Sequence, residues 1–208
     1  AKSNPECPFE IIQIGAVKLN SDFENSGHFN FYIKPVIYKR LHPYVEKITG
    51  ISQLELDNGL TFSEVFEAFC EFVDPKEDIL CSWGSDDIKS LYRNIRYHKL
   101  PAAKMPDRYM NIQGFATNYL HYEPGKAIGL KNAVELLNLH IESDFHNALN
   151  DAVYTAEIFK IVKPDIIVTE RFKPADIKIT KPKVQKKGIN TKSLFKYFTQ
   201  SLERELST

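Results

Sequence analysis

Several features are scarce in this chain of 208 residues, and each absence removes a class of protein. Cysteine occurs three times, as Cys7, Cys70 and Cys81, an odd number with no CxxC spacing. That pattern builds neither a disulfide framework nor a zinc site, and it reads as the reduced thiols of a cytoplasmic protein. Net charge is absent too, because 27 basic residues balance 27 acidic ones. Coating nucleic acid through bulk positive charge is thereby excluded, whereas an enzyme that grips a strand through a local patch is not. No apolar run approaches the roughly 18 residues of a membrane span, and no signal-peptide pattern opens the chain. Internal repeats and low-complexity stretches are also missing. What is plentiful is apolar: 43% of residues are hydrophobic. That supports one domain of ordinary size plus an appendage, or two small domains.

The hydrophobic pattern predicts an α/β chain. Residues 10–19, EIIQIGAVKL, are nearly continuously apolar and β-branched, as in a strand covered on both faces. After a polar turn at 20–27, residues 28–35 alternate well enough for a second strand, and the two form a hairpin. Leu60, Val65, Phe66, Phe69 and Phe72 fall near helical spacing, with Thr61 as N-cap and Glu64 three residues on. A short strand at 79–83, a helix at 86–99, an edge strand at 109–112 and helices at 130–137 and 148–162 complete the reading. A hairpin followed by alternating helices and strands implies a mixed sheet. Composition changes near Pro164. A domain over 1–164 is expected to be followed by a Lys/Pro-rich linker over 165–189 and an amphipathic helix over 190–208, with Leu194, Phe198, Leu202 and Leu206 four apart. That helix either covers part of the domain or binds a protein partner. The linker lysines are read as solvated, with phosphate binding as the alternative.

Two segments carry candidate chemistry. In His146-Asn-Ala-Leu-Asn-Asp151, a five-residue step on a continuous helix would rotate the side chains apart by ~140°. They serve one site only if the helix begins after the histidine. An imidazole can then take a proton from water while the carboxylate holds a metal. Taken alone, such a spacing marks no more than a helix that begins near a histidine. Ala148, Ala152 and Ala156 give that helix a face of small residues for close packing on a sheet. In Leu80-Cys-Ser-Trp-Gly-Ser-Asp-Asp87, an apolar strand runs through a glycine turn to acids at the head of a helix, where α/β sheets gather ligands. On spacing alone, Asp86 and Asp87 read as helix caps.

Four landmarks occur in order at suitable distances: EIIQIGAV, KPVIYKRLHPYVEKITGIS, CSWGSDD and HNALNDAVYTAEIF. Over about residues 1–162 the chain resembles the DEDDh 3′–5′ exonucleases, the superfamily of RNase T and the proofreading subunit of bacterial replicative polymerase. It looks closest to the KapD-like and Eri1-like branch. The resemblance implies an RNase H-like fold, a mixed β-sheet flanked by helices, here with a C-terminal helical tail. It implies an enzyme in which four carboxylates hold two divalent metals, Mg²⁺ or Mn²⁺, and a histidine activates the attacking water. By this match Asp87 and Asp151 are metal ligands and His146 is the general base. Asp87 is preferred to Asp86 because the apolar Ile88 follows it, as in the family pattern. Thr49, Gly50, Ile51 and Trp83 fall where nucleotide contacts are made, with plain packing as the other reading of each. The substrate implied is the 3′ end of a single strand, RNA or DNA.

One landmark departs from the pattern. The family's first motif, Asp-x-Glu, lies on a strand before EIIQIGAV, and residues 1–9 contain no such pair. Asp22-Phe23-Glu24 has the right letters but lies in the hairpin turn and reads as a decoy. The expectation is therefore an apolar strand with Asp-x-Glu shortly upstream of Ala1, without which the sheet would fall into two fragments. The rival function is a catalytically silent, KapD-like regulator, a sporulation inhibitor acting by binding. Retained Asp87, His146 and Asp151 favour the enzyme.

Overall fold

A computed structural model describes residues 4–140, 144–163 and 170–171. The expected tail helix over 190–208 lies outside these residues. The chain begins with the antiparallel hairpin of β1 (Gln13–Leu19) and β2 (Asn25–Tyr32), in which Gln13 faces Tyr32 and Ala16 faces Phe29. The turn is shorter than the sequence suggested. A bulge at Lys18/Leu19 lets pairing start at Asn25, and Asn20 closes the loop by accepting from the Asp22 and Glu24 amides. Phe23 then adopts φ 63° and lays its ring edge-on to Phe159, 5.5 Å between centroids, with the Lys163 ammonium 4.0 Å over it. Asp22 and Glu24 thus flank a packed turn.

Two short helices follow, α1 (Pro43–Thr49) and α2 (Gln53–Asp57). They rest on local devices: Pro43 at the start, the left-handed Gly50 (φ 68°) as the stop of α1, and a Ser52/Glu55 capping box. α3 (Phe62–Phe72) starts at the predicted cap. Thr61 accepts from the Glu64 amide and Glu64 reaches back to the Thr61 amide at 2.7 Å. Next come β3 (Leu80–Ser82), α4 (Asp86–Tyr97), β4 (Arg108–Asn111), α5 (Ile112–Tyr119), α6 (Leu130–Leu136), α7 (Ala148–Val162) and β5 (Glu170–Arg171). β4, predicted at an edge, is central in its sheet: parallel to β3 and antiparallel to β5. Glu170 and Arg171 fall inside the span read as linker, yet they pair with β4, and Arg171 bonds Asp107 at 2.7 Å.

Among the described residues the strands form two sheets, β1-β2 and β3-β4-β5. Each has its own core. Phe29, Phe62, Phe66, Phe69, Ile88 and Ile95 close one between the hairpin, α3 and α4. Met110, Ile112, Ile128, Val134, Ile158 and Phe159 close the other among β4, α5, α6 and α7. Burying such side chains is worth about 1.5–3 kcal/mol each, so both cores hold their helices firmly. Between the sheets runs a cleft of about 920 Å³, walled by β1 on one side and by residues 79–83 on the other.

Candidate active site

α7 starts after the histidine. Asn147 is its N-cap, with Oδ1 accepting from the Leu149 and Asn150 amides, so His146 belongs to the preceding turn. His146 takes φ 73°, an uncommon conformation for a side-chain-bearing residue and one often stored at functional sites. The turn bends the chain back, and the His146 amide donates to Asp151 Oδ1 at 3.2 Å. One loop of backbone therefore holds both residues, and both line the cleft. The alanine face lines it too, through Ala148, Ala152 and Ala156. The nearest approach is at Gly15 on β1, where a Cβ would collide with the Leu149 nitrogen and the Ala148 carbonyl carbon.

Asp87 arrives from the opposite sheet. β3 ends in the turn Trp83-Gly84-Ser85, where Gly84 adopts φ 96° and donates its amide to Asn111 Oδ1 at 3.2 Å. This turn delivers the first residues of α4 to the cleft. Asp86 pairs with Lys89 at 3.0 Å, whereas Asp87 lines the cleft. Desolvation, then Asp86 and then Asp151 push the Asp87 carboxyl from 3.8 up to about 6. Its surface is open to the cleft, but the surrounding protein holds out most of the water that would stabilise its charge. Asp151 is likewise raised to about 6 by burial, offset in part by the His146 amide. Two carboxyls that repel each other, with no ion pair to either among the described residues, suit a hard divalent cation. They are half the ligand set the resemblance implies. Among the described residues no group of three or more His, Cys, Asp or Glu side chains could hold a metal.

The residues matched to nucleotide contacts divide. Thr49, Ile51 and Trp83 line the cleft; Gly50 does not and serves as the C-cap of α1. Ile51 is buried, the Thr49 hydroxyl donates to the Val45 carbonyl at 2.8 Å, and the Trp83 indole donates to the Ile128 carbonyl at 3.2 Å. All three are held by the fold while facing the cleft. Sequence reasoning missed Gln13 and Gly15 of β1, the residues against which the start of α7 rests. The signal available was a polar residue interrupting the apolar run of residues 11–17.

Comparison with known proteins bears on the family and the fold. The family model for the RNase T exonucleases matches residues 2–159. The probable 3′–5′ exonuclease KapD of Bacillus subtilis (strain 168) is 27% identical over 171 residues, covering 81% of this chain and 80% of that protein. Human ERI1 exoribonuclease 3 is 27% identical over 162 residues, covering 74% of this chain. The chain spans 48% of that relative's length. Among solved structures, the nuclease domain of 3′hExo, a DEDDh family member bound to rAMP, superposes with a TM-score of 0.68 over 78% of this chain and 86% of that one, at 22% identity. That likeness establishes the RNase H-like fold. The chain belongs to the RNase T exonuclease family and has KapD-like and Eri1-like 3′–5′ exonucleases among its relatives.

Proposed function

We propose that this protein removes nucleotides one at a time from the 3′ end of single-stranded nucleic acid, RNA or DNA, in a reaction that depends on Mg²⁺ or Mn²⁺. The observation that carries the reading is the convergence of Asp87, Asp151 and His146 on one cleft from two sheets. Asp87 and Asp151 would hold the cation. Bound there, divalent metal would supply polarisation of the phosphate and charge stabilisation at the attacking and leaving oxygens of an in-line displacement. His146 takes the proton of the attacking water, a role suited to imidazole near neutral pH. Thr49, Ile51 and Trp83 present aliphatic and aromatic surface to the terminal base, where stacking tolerates any sequence. ERI1 exoribonuclease 3 is named for RNA, and 3′hExo is seen with rAMP, which makes RNA the first substrate to try.

The remaining ligands are assigned to an extended segment bearing Asp-x-Glu that pairs between β1 and β3. The apolar walls of the cleft and the two facing strand edges support this, since buried backbone amides need partners. The exonuclease unit would extend through β5 at Glu170–Arg171, with 172–189 a basic linker and 190–208 a helix that covers the domain or meets a protein partner. The free thiols fit a reducing cytoplasm, and among the described residues no helix is long and apolar enough to cross a membrane.

The test uses full-length protein with end-labelled RNA and DNA oligonucleotides, free or blocked at the 3′ end. Mononucleotide release from free 3′ ends, abolished by EDTA and restored by Mn²⁺, supports the proposal. Binding without release, at any metal concentration, would make the regulatory alternative the better account.

A further inference from the structure

Gln13 is the one polar residue at the N-terminal end of the core-facing β1 strand, and only 7% of it is exposed. Burying an amide is costly unless its hydrogen-bonding groups find partners. Here they find three. Oε1 accepts from the Ala148 amide at 3.1 Å, while Nε2 donates to Asn30 Oδ1 at 2.9 Å and to Asn147 Oδ1 at 3.3 Å. The Ala148 N–H can only donate, which fixes the Gln13 oxygen on that side and aims Nε2 at the two amide oxygens. Ala148, Leu149 and Asn150 carry three of the amides that an isolated helix leaves without partners at its N-terminus. Gln13 takes the first, and Asn147 takes the other two. Asn30 anchors the arrangement to β2, so the start of α7 is tied across the hairpin.

This clamp acts on the turn that bears the candidate catalytic groups. Asn147 directly follows His146, and His146 is bonded through its amide to Asp151. A shift of Ala148 therefore moves both. A strand position that needed only to be filled would be satisfied by an apolar side chain of the same length. The arrangement instead uses a group able to donate and accept at once.

We propose that Gln13 is a positioning residue for hydrolysis. Its amide ties the N-terminus of α7 to the β1-β2 hairpin and sets where His146 and Asp151 stand in the cleft. The inference rests on the roles proposed for those two residues.

The test combines kinetics with amide exchange on full-length protein, using a single-stranded RNA oligonucleotide and Mn²⁺. Gln13→Met keeps length and removes all three bonds. It is expected to lower kcat by about 10–100-fold, the scale of an ångström-sized misplacement, with KM within about threefold. The Ala148 amide should lose its protection. Gln13→Glu keeps the acceptor facing Ala148, at a helix end that favours negative charge, and should recover part of both losses. Asn147→Ser retains a good N-cap but cannot reach Gln13; it should lower kcat similarly and guards against a misfolded Gln13→Met protein. Unchanged protection of Ala148 in Gln13→Met would overturn the clamp, and unchanged kcat would overturn its role in positioning. If wild-type protein cleaves nothing, the functional reading falls and takes the kinetic half with it, while exchange still decides the clamp.

Discussion

Replacing Asp87 with asparagine should stabilise the metal-free protein at pH 8. The Asp87 carboxyl is raised from 3.8 to about 6 by desolvation first, then by Asp86 and Asp151. An acid whose folded-state pKa is raised contributes stability that is complete below its unfolded value, near 3.8, and is lost as pH rises through about 6. Asparagine carries no charge to lose, so its advantage is small near pH 4 and full above about pH 7. A shift of this size would correspond to ~3 kcal/mol if the group were dry, at about 1.36 kcal/mol per pK unit. Asp87 opens onto water in the cleft, so screening reduces this to about 1 kcal/mol. For a chain of this length that is ~2–4 °C in Tm. Thermal unfolding of wild type and Asp87→Asn in EDTA, at pH 4 and pH 8, reads the difference. Adding Mn²⁺ at pH 8 should reverse the order, because wild type gains from binding and the variant loses a ligand. An Asp87→Asn protein that is less stable than wild type at both pH values would refute the electrostatic reasoning. So would a Mn²⁺ response as large as that of wild type.

Two further outcomes follow from the packing around α7 and from the extent of the described fold. Gly15→Ala drives a Cβ into the backbone of residues 148 and 149, which lies 2.6 Å away even at the Leu149 Cα. It should cost about 1–3 kcal/mol by denaturant unfolding and lower turnover as the turn bearing His146 lifts; wild-type values for both would show that α7 does not rest there. Removing residues 172–208 should leave cleavage of a labelled oligonucleotide intact, since the candidate groups end at Asp151 and β5 is retained. Lost turnover in a protein that still unfolds cooperatively would place part of the site in the tail.

Strong local signals were legible in the sequence. The Thr61/Glu64 capping box and the phenylalanine spacing located α3, and the divergence of a five-residue step on a helix required α7 to begin after His146, as it does. Less legible were α1 and α2, whose few turns are held by caps and a proline rather than by a hydrophobic stripe. α5 was missed because Asn111 ends a strand and caps a helix at once. The pairing of Asp86 with Lys89 was also hidden, because spacing could not separate it from a cap. Gln13 was hidden for another reason: its partners lie 17 and 134 residues away, and no linear pattern records them.

The central claim is that His146 acts on chemistry while Asp87 and Asp151 hold metal, and single-turnover cleavage of a 3′-labelled strand tests it most directly. His146→Ala should slow the cleavage step by about 10²–10⁴-fold, leave substrate affinity near that of wild type, and resist rescue by added Mn²⁺. Asp87→Ala and Asp151→Ala should instead be partly rescued by metal. If His146→Ala cleaves as fast as wild type, the assignment of the general base is wrong.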